Sequence, residues 1–346
     1  GRGLIAGERN YLIPAYQAIP VAITVEGANI LTRNLMIFGQ GAVRCHPWVL
    51  EEMLSVSNPD KVAGLKQFDR AFFSHIGYSI GNFVRTFWLG LTGARFTRSP
   101  VNGETEMYYK QLTRMSSALA FVSDVAMLMI GGDLKRRERL SARLGDVLSH
   151  LYMATSVLKF YEDEGRQSDD LPYVHWNLQN GLNSMQVALR EFMRNFTGNK
   201  WLASALYRIV FPWGESYSKA SDKIDHAVVK PMLSNTQIRQ RLTYPTFISK
   251  KADDATGRME FAFNAVLLAA DSELKLYRAI KKGEVENLKT IEERLADAVS
   301  KSVLSKKEAK LVQDAADARW DAIQVDSYPK EWFEQFSKQT DQREVA

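Results

Sequence analysis

Residues 103–161 decide the fold: GETEMYYKQLTRMSSALAFVSDVAMLMI (103–130), then GGDLKRRERLSARLGDVLSHLYMATSVLKFY (131–161). In the first half, Met107, Leu112, Met115, Leu119, Val122, Ala126 and Met129 recur mostly every three or four residues. That spacing lines one face of a long helix. Gly131-Gly132 ends it, and Asp133 is a good N-cap for a second helix. Its Leu134, Leu140, Leu144, Val147, Leu148, Leu151, Val157 and Leu158 repeat the pattern as far as Tyr161. Two such helices joined by a short turn predict an antiparallel hairpin, each burying its stripe on the other.

The pattern continues outward. Asp170-Leu171-Pro172 opens a helix running through about Phe196, proline being tolerated at a first turn. A shorter helix over 201–209 stops at the Phe211-Pro212-Trp213-Gly214 break, and 219–233 and 259–280 continue the series. After Lys282-Gly283, 287–298 and 306–325 read as a closing pair. No stretch sustains the alternation of a half-buried strand, so the expected fold class is all-α.

Composition agrees with a folded chain. At 346 residues, 45% hydrophobic and 25% charged, there is enough apolar surface for one large core or two ordinary ones. A single cysteine, Cys45, excludes an intrachain disulfide and reads as a small buried residue beside a helix end. Five histidines, His46, His75, His150, His175 and His226, show no metal-ligand spacing. A net charge of +5 is modest, and no nucleic-acid motif accompanies the basic cluster Lys135, Arg136, Arg137, Arg139 and Arg143. Opening a helix, that cluster opposes the macrodipole, so a protein carboxylate, a phosphate or a lipid headgroup is expected beside it. Residues 71–91 carry Phe72, Phe73, Tyr78, Phe83, Phe87 and Trp88, but Arg85, His75 and Asn82 break the run expected of a membrane span. An interfacial helix with Arg85, Arg95 and Arg98 near headgroups and an aromatic helix packed on protein both fit.

One carboxylate stands out. In Ile23-Thr24-Val25-Glu26-Gly27-Ala28-Asn29-Ile30 an apolar run meets Glu26 and a glycine before a helix expected over about 30–43. Partial desolvation raises a carboxyl pKa and suits it to take a proton beside a carbonyl. Gly27 lets a ligand approach the main chain, and Asn29 is a candidate cap. A capped turn is the alternative reading of the same residues.

Val25-Glu26-Gly27-Ala28-Asn29 with Arg33 resembles the catalytic-glutamate loop of the acyl-CoA dehydrogenases. The longer string TVEGANILTRNLMIFGQGAVRCHP (24–47), with Gly132–Arg136 and Leu140–Ser149, resembles the large bacterial acyl-CoA dehydrogenases of fatty-acid β-oxidation, the FadE type. Gly1-Arg2-Gly3-Leu4 resembles the end of the family's Gly-Gly-x-Gly turn, whose backbone lies against the flavin pyrophosphate.

The resemblance implies the C-terminal part of a larger FAD enzyme, with its N-terminal helical domain, middle β-domain and most of its catalytic bundle upstream. Residues 1–47 would be the end of that bundle, and 48–346 a helical extension reminiscent of the one in very-long-chain acyl-CoA dehydrogenases. It implies α,β-dehydrogenation of a medium- or long-chain acyl-CoA to the trans-2-enoyl-CoA. Glu26 would be the base that takes the α-proton, and its main-chain N–H, with a flavin ribityl hydroxyl, would polarise the thioester carbonyl. Gly27 would lie against substrate, and Gly1, Ala28, Asn29 and Ile30 against FAD. Ala28 and Ile30 stand where many relatives have threonine and glutamine. Electrons would pass to an electron-transferring flavoprotein. A homo-oligomer in the cytoplasm, with peripheral contact to the inner membrane and no nucleic-acid partner, is expected, as is inactivity of these 346 residues alone. A non-catalytic helical domain that docks, dimerises or associates with membrane is the alternative.

Overall fold

The computed structural model describes residues 10, 12–25, 40–234, 236–251, 253–324 and 330–331. Among them no β-strand occurs, as the periodicity predicts. A first helix, α1, covers Ile13–Val25 with Pro20 inside it. The chain divides into two compact units, Ile23–Leu233 and Gly1–Ala22 with Ser234–Ala346.

In the first unit the helices are α2 (Gly41–Cys45), α3 (Val49–Val56), α4 (Lys61–Thr92), α5 (Glu106–Ile130), α6 (Glu138–Asp163), α7 (Leu171–Asn195), α8 (Lys200–Val210) and α9 (Asp222–Met232). The predicted α5–α6 hairpin forms, and α6 packs still more extensively on α7. Met115 and Val122 of α5, Leu144, Val147 and Leu158 of α6, and Leu178, Met185 and Leu189 of α7 are sealed from solvent together. Each such side chain contributes about 1.5–3 kcal/mol relative to exposure. Length and composition alone would let Glu106–Leu134 cross a membrane, but its apolar stripe supplies this core.

Helix α4 begins ten residues before the aromatic stretch, because Asp60 caps it by accepting from the Val62 and Ala63 amides. Apart from Leu89, its inward positions are small or polar: Gly64, Ala71, Asn82, Thr86 and Gly90 are buried. Gly90 lets α4 approach the end of α8, where an added Cβ would meet Pro212 Cδ at 2.9 Å and the Val210 carbonyl oxygen at 3.1 Å. With the inner face so narrow, Phe72, Phe73, Phe83, Phe87 and Trp88 remain exposed to varying degrees.

Two expectations need correction. Asp133 does not cap the second helix: Gly131–Lys135 is a 3-10 turn, and α6 starts at Glu138 behind Arg137. Gly131, with φ 57° and ψ −136°, turns the chain so that Asp133 falls inside that tight segment, 3.8 Å from Arg136. Cys45 is exposed rather than buried, since α2 is a single short turn that lays Ala42 on the core and leaves its end outside.

The second unit is built on α11 (Ala255–Lys281) against α13 (Lys306–Ile323), with α12 (Ile291–Ser300) on α13 and the short α10 (Gln237–Thr243) before them. Its core is Leu276, Ala279, Val285, Leu295, Ala298, Leu304 and Val312. Arg239 holds Glu260 through both guanidinium ends, at 3.2 and 2.7 Å, and stacks 4.6 Å from the Phe263 ring centre.

Candidate functional site

Glu26, Gly27, Ala28, Asn29, Ile30 and Gly1, and the helix expected over 30–43 up to residue 39, lie outside the described residues. What the structure places is the chain on either side of the glutamate loop: α1 reaches Val25, and the chain resumes at Gln40 in the turn leading into α2.

The segment after α2 is fixed by a histidine. His46 follows α2, and its Nδ1 accepts from the Trp48 and Val49 amides, both at 3.1 Å, so the imidazole caps α3. A nitrogen accepting two N–H groups carries no proton, so the ring is the neutral Nε2–H tautomer. Nε2 lies 3.2 Å from Asp124 Oδ1 on α5, yet off the N–H axis, so the contact is electrostatic rather than an aligned hydrogen bond. Both side chains are buried, 6% and 7% exposed. Asp124 Oδ2 accepts from Ser79 Oγ at 3.0 Å and, at 3.4 Å, from Asn82 Nδ2, both on α4. Beside them His75 Nδ1 sits 2.9 Å from Glu52 Oε1 of α3, and the His75 and His46 ring centres are 4.4 Å apart.

His46, His75 and Asp124 bring ligand-type atoms within 4.8 Å of one another. The tautomer decides against ligation through His46 in this arrangement: an Nε2 lone pair for a metal would require a proton on Nδ1, where two amide protons already point. The chemistry it does support is anchoring. The backbone around His46 is tied by one imidazole to α3, and through Asp124 to α4 and α5.

This polar cluster forms one end of a groove of about 710 Å³ walled by Phe72, Ile76, Ile80, Phe83, Phe121 and Leu128. Spacing in the sequence gave no sign of it, because its parts come from residues 46–52, 75–82 and 124. Asn82 within the aromatic stretch and Asp124 between Val122 and Ala126 are the signal that was available.

Among the described residues, packed helices with a buried polar cluster and an apolar groove define the class: an all-α helical domain. Comparison with known families resolves the class further. Residues 43–328 match the family described as "Acyl-CoA dehydrogenase, C-terminal, bacterial type", and the chain belongs to it. No solved structure matches the chain.

Proposed function

We propose that this chain is the C-terminal part of an FAD-dependent acyl-CoA dehydrogenase that converts medium- or long-chain acyl-CoA to trans-2-enoyl-CoA in fatty-acid β-oxidation, with Glu26 as the base. The observation that carries the reading is order along the chain: the family match begins at residue 43, and the segment resembling the catalytic-glutamate loop, Val25–Asn29 with Arg33, lies upstream of it. On this reading 1–47 close the catalytic bundle and 48–346 form the helical extension.

Glu26 would take the α-proton, with Gly27 leaving room for substrate against the main chain. FAD, when bound, supplies the acceptor for the β-hydrogen. Toward it, Ala28 and Ile30 offer only main-chain groups and Asn29 adds an amide; Gly1 would lie by the pyrophosphate. His46 and Asp124 would hold the returning end of the loop, making them positioning residues rather than catalytic ones. An electron-transferring flavoprotein would receive the electrons, and a cytoplasmic homo-oligomer would carry the activity.

In the enzyme carrying its flavin-binding domain, Glu26→Gln is expected to cost about 3–5 kcal/mol of transition-state stabilisation while bound flavin is retained. Steady-state kinetics with the flavin spectrum recorded in parallel checks this. Turnover near the unmodified rate would end the assignment of Glu26.

A further inference from the structure

Arg114 is the one buried arginine or lysine among the described residues, 5% exposed in the middle of α5. Its Nη1 donates to Tyr217 Oη at 3.1 Å and its Nη2 to the Val210 carbonyl at 3.3 Å. Its guanidinium lies 5.8 and 5.4 Å from the Phe211 and Tyr217 ring centres. Nε is buried without a partner, and among the described residues no carboxylate lies within ion-pair distance of the side chain. Removing a guanidinium from water without a counter-charge costs several kcal/mol. Dipoles and ring faces offset part of that, and they leave its charge uncancelled.

Three acids close to the cavity-lining residues in the chain are committed elsewhere. Glu215 holds Arg190 at 2.9 Å, Glu106 holds Lys110 at 2.6 Å, and Glu104 faces His175 at 3.6 Å. Nor do the phenols supply the charge. Burial pushes Tyr108 and Tyr217 up from their ordinary range, so both stay protonated.

Arg114 lines a cavity of about 430 Å³ at the junction of α5, α7 and the 216–218 segment. Its wall holds a second cation, Arg95, together with neutral polar groups of Tyr108, Gln111, Gln179 and Ser218, and no aspartate or glutamate. Gln111 is fixed in that wall, donating to the Gly93 carbonyl at 2.9 Å while accepting from Tyr217 Oη. A concave pocket with two guanidinium groups, hydroxyl and amide donors and no acid has the composition of an oxyanion site.

We propose that this cavity binds a phosphoryl group, with Arg114 and Arg95 neutralising a dianion and the hydroxyl and amide groups meeting its remaining oxygens. The site lies on residues separate from the glutamate loop and does not depend on the role of Glu26. Its volume admits a phosphate with a small organic body attached as well as the free ion.

Calorimetric titration of the full chain with inorganic phosphate, AMP and coenzyme A, each at low ionic strength, tests the site. Wild type should bind at least one of them saturably. Inorganic phosphate binding marks the free ion, whereas binding only of AMP or coenzyme A marks a phosphate ester. Arg95→Ala, an exposed change that leaves the core intact, should weaken binding about tenfold, the effect of one lost charge-assisted contact. Arg114→Met should abolish it with the far-UV circular dichroism unchanged, and Arg114→Lys should restore it in part. Absence of binding by wild type, or affinity unchanged in both Arg95→Ala and Arg114→Met, overturns the proposal. If Arg114→Met does not fold, the Arg95→Ala titration alone decides.

Discussion

At the scale of single residues, one hydrogen-bonding pattern gives this fold its most specific joint. His46 caps α3 with Nδ1 and turns Nε2 toward Asp124, which also accepts from Ser79 and Asn82. Removing the acceptor from a site this dry leaves donors unpaired, and the cost of that exceeds the net value of the bonds themselves. Asp124→Ala is expected to lower stability by about 1–3 kcal/mol, read from the denaturant midpoint. It should also make the backbone near residues 40–48 exchange amide protons faster. Unchanged exchange there would mean that the cluster does not hold this segment. His46 and Asp124 stood in the sequence as ordinary polar residues; only the crossing of α4 and α5 brings them together.

At the scale of elements, the helices of the second unit advertise their own starts. Ser305 and Glu308 form a reciprocal capping box at α13, as Thr290 and Glu293 do at α12, and Asp254 caps α11. The Ser305 amide and hydroxyl, with Lys275, hold the Glu308 carboxyl down from its ordinary 4.5 to about 2. The Thr256 hydroxyl and Gly257 amide hold Asp254 down from 3.8 to about 2. A carboxyl depressed by folding stabilises above its unfolded value and loses that contribution as pH falls through the folded one. Helicity from this unit should therefore decline between about pH 4.5 and pH 2, followed by circular dichroism. Ser305→Ala should cost about 1 kcal/mol at neutral pH and flatten that acid transition. A transition of the same shape in the variant would mean that the α13 cap does not drive it.

Element boundaries were legible where a side chain makes them and illegible where backbone torsion does. Asp170-Leu171-Pro172 predicts the start of α7 because proline is preorganised for a first turn, and the structure begins it at Leu171. Asp133 misled because Gly131 commits the chain to a 3-10 turn first, a choice made by φ and ψ rather than by the capping residue.

At the scale of the molecule, α4 presents an apolar face that no other described residue covers. Phe73 is 68% exposed and Trp88 53% exposed, with Arg85, Arg95 and Arg98 also at the surface. Peripheral association with an anionic membrane would draw on such a face, since apolar area and basic charge act together in interfacial binding. Co-sedimentation with anionic vesicles at low salt should capture the chain, weaken as salt is raised, and fall with Phe73→Ser combined with Trp88→Ser. Failure to sediment, or binding indifferent to both substitutions and salt, would leave this face to another part of the protein or to a second copy.

The sequence by itself determined the long helices from residue 103 onward and their order, because a 3.6-residue apolar period is a local property that a window of the chain displays; the short α3 and α10 it did not announce. It also carried the family, which the match over residues 43–328 shows. Only the tertiary structure decided which polar residues meet. Asp124 lies 78 residues from His46 and reaches it because α5 packs on the small inward face of α4. Arg114 is buried without an acid because α8 and the 216–218 segment fold over it. Burial and counter-charge are sums over neighbours that arrive from distant segments, and no spacing along the chain encodes them.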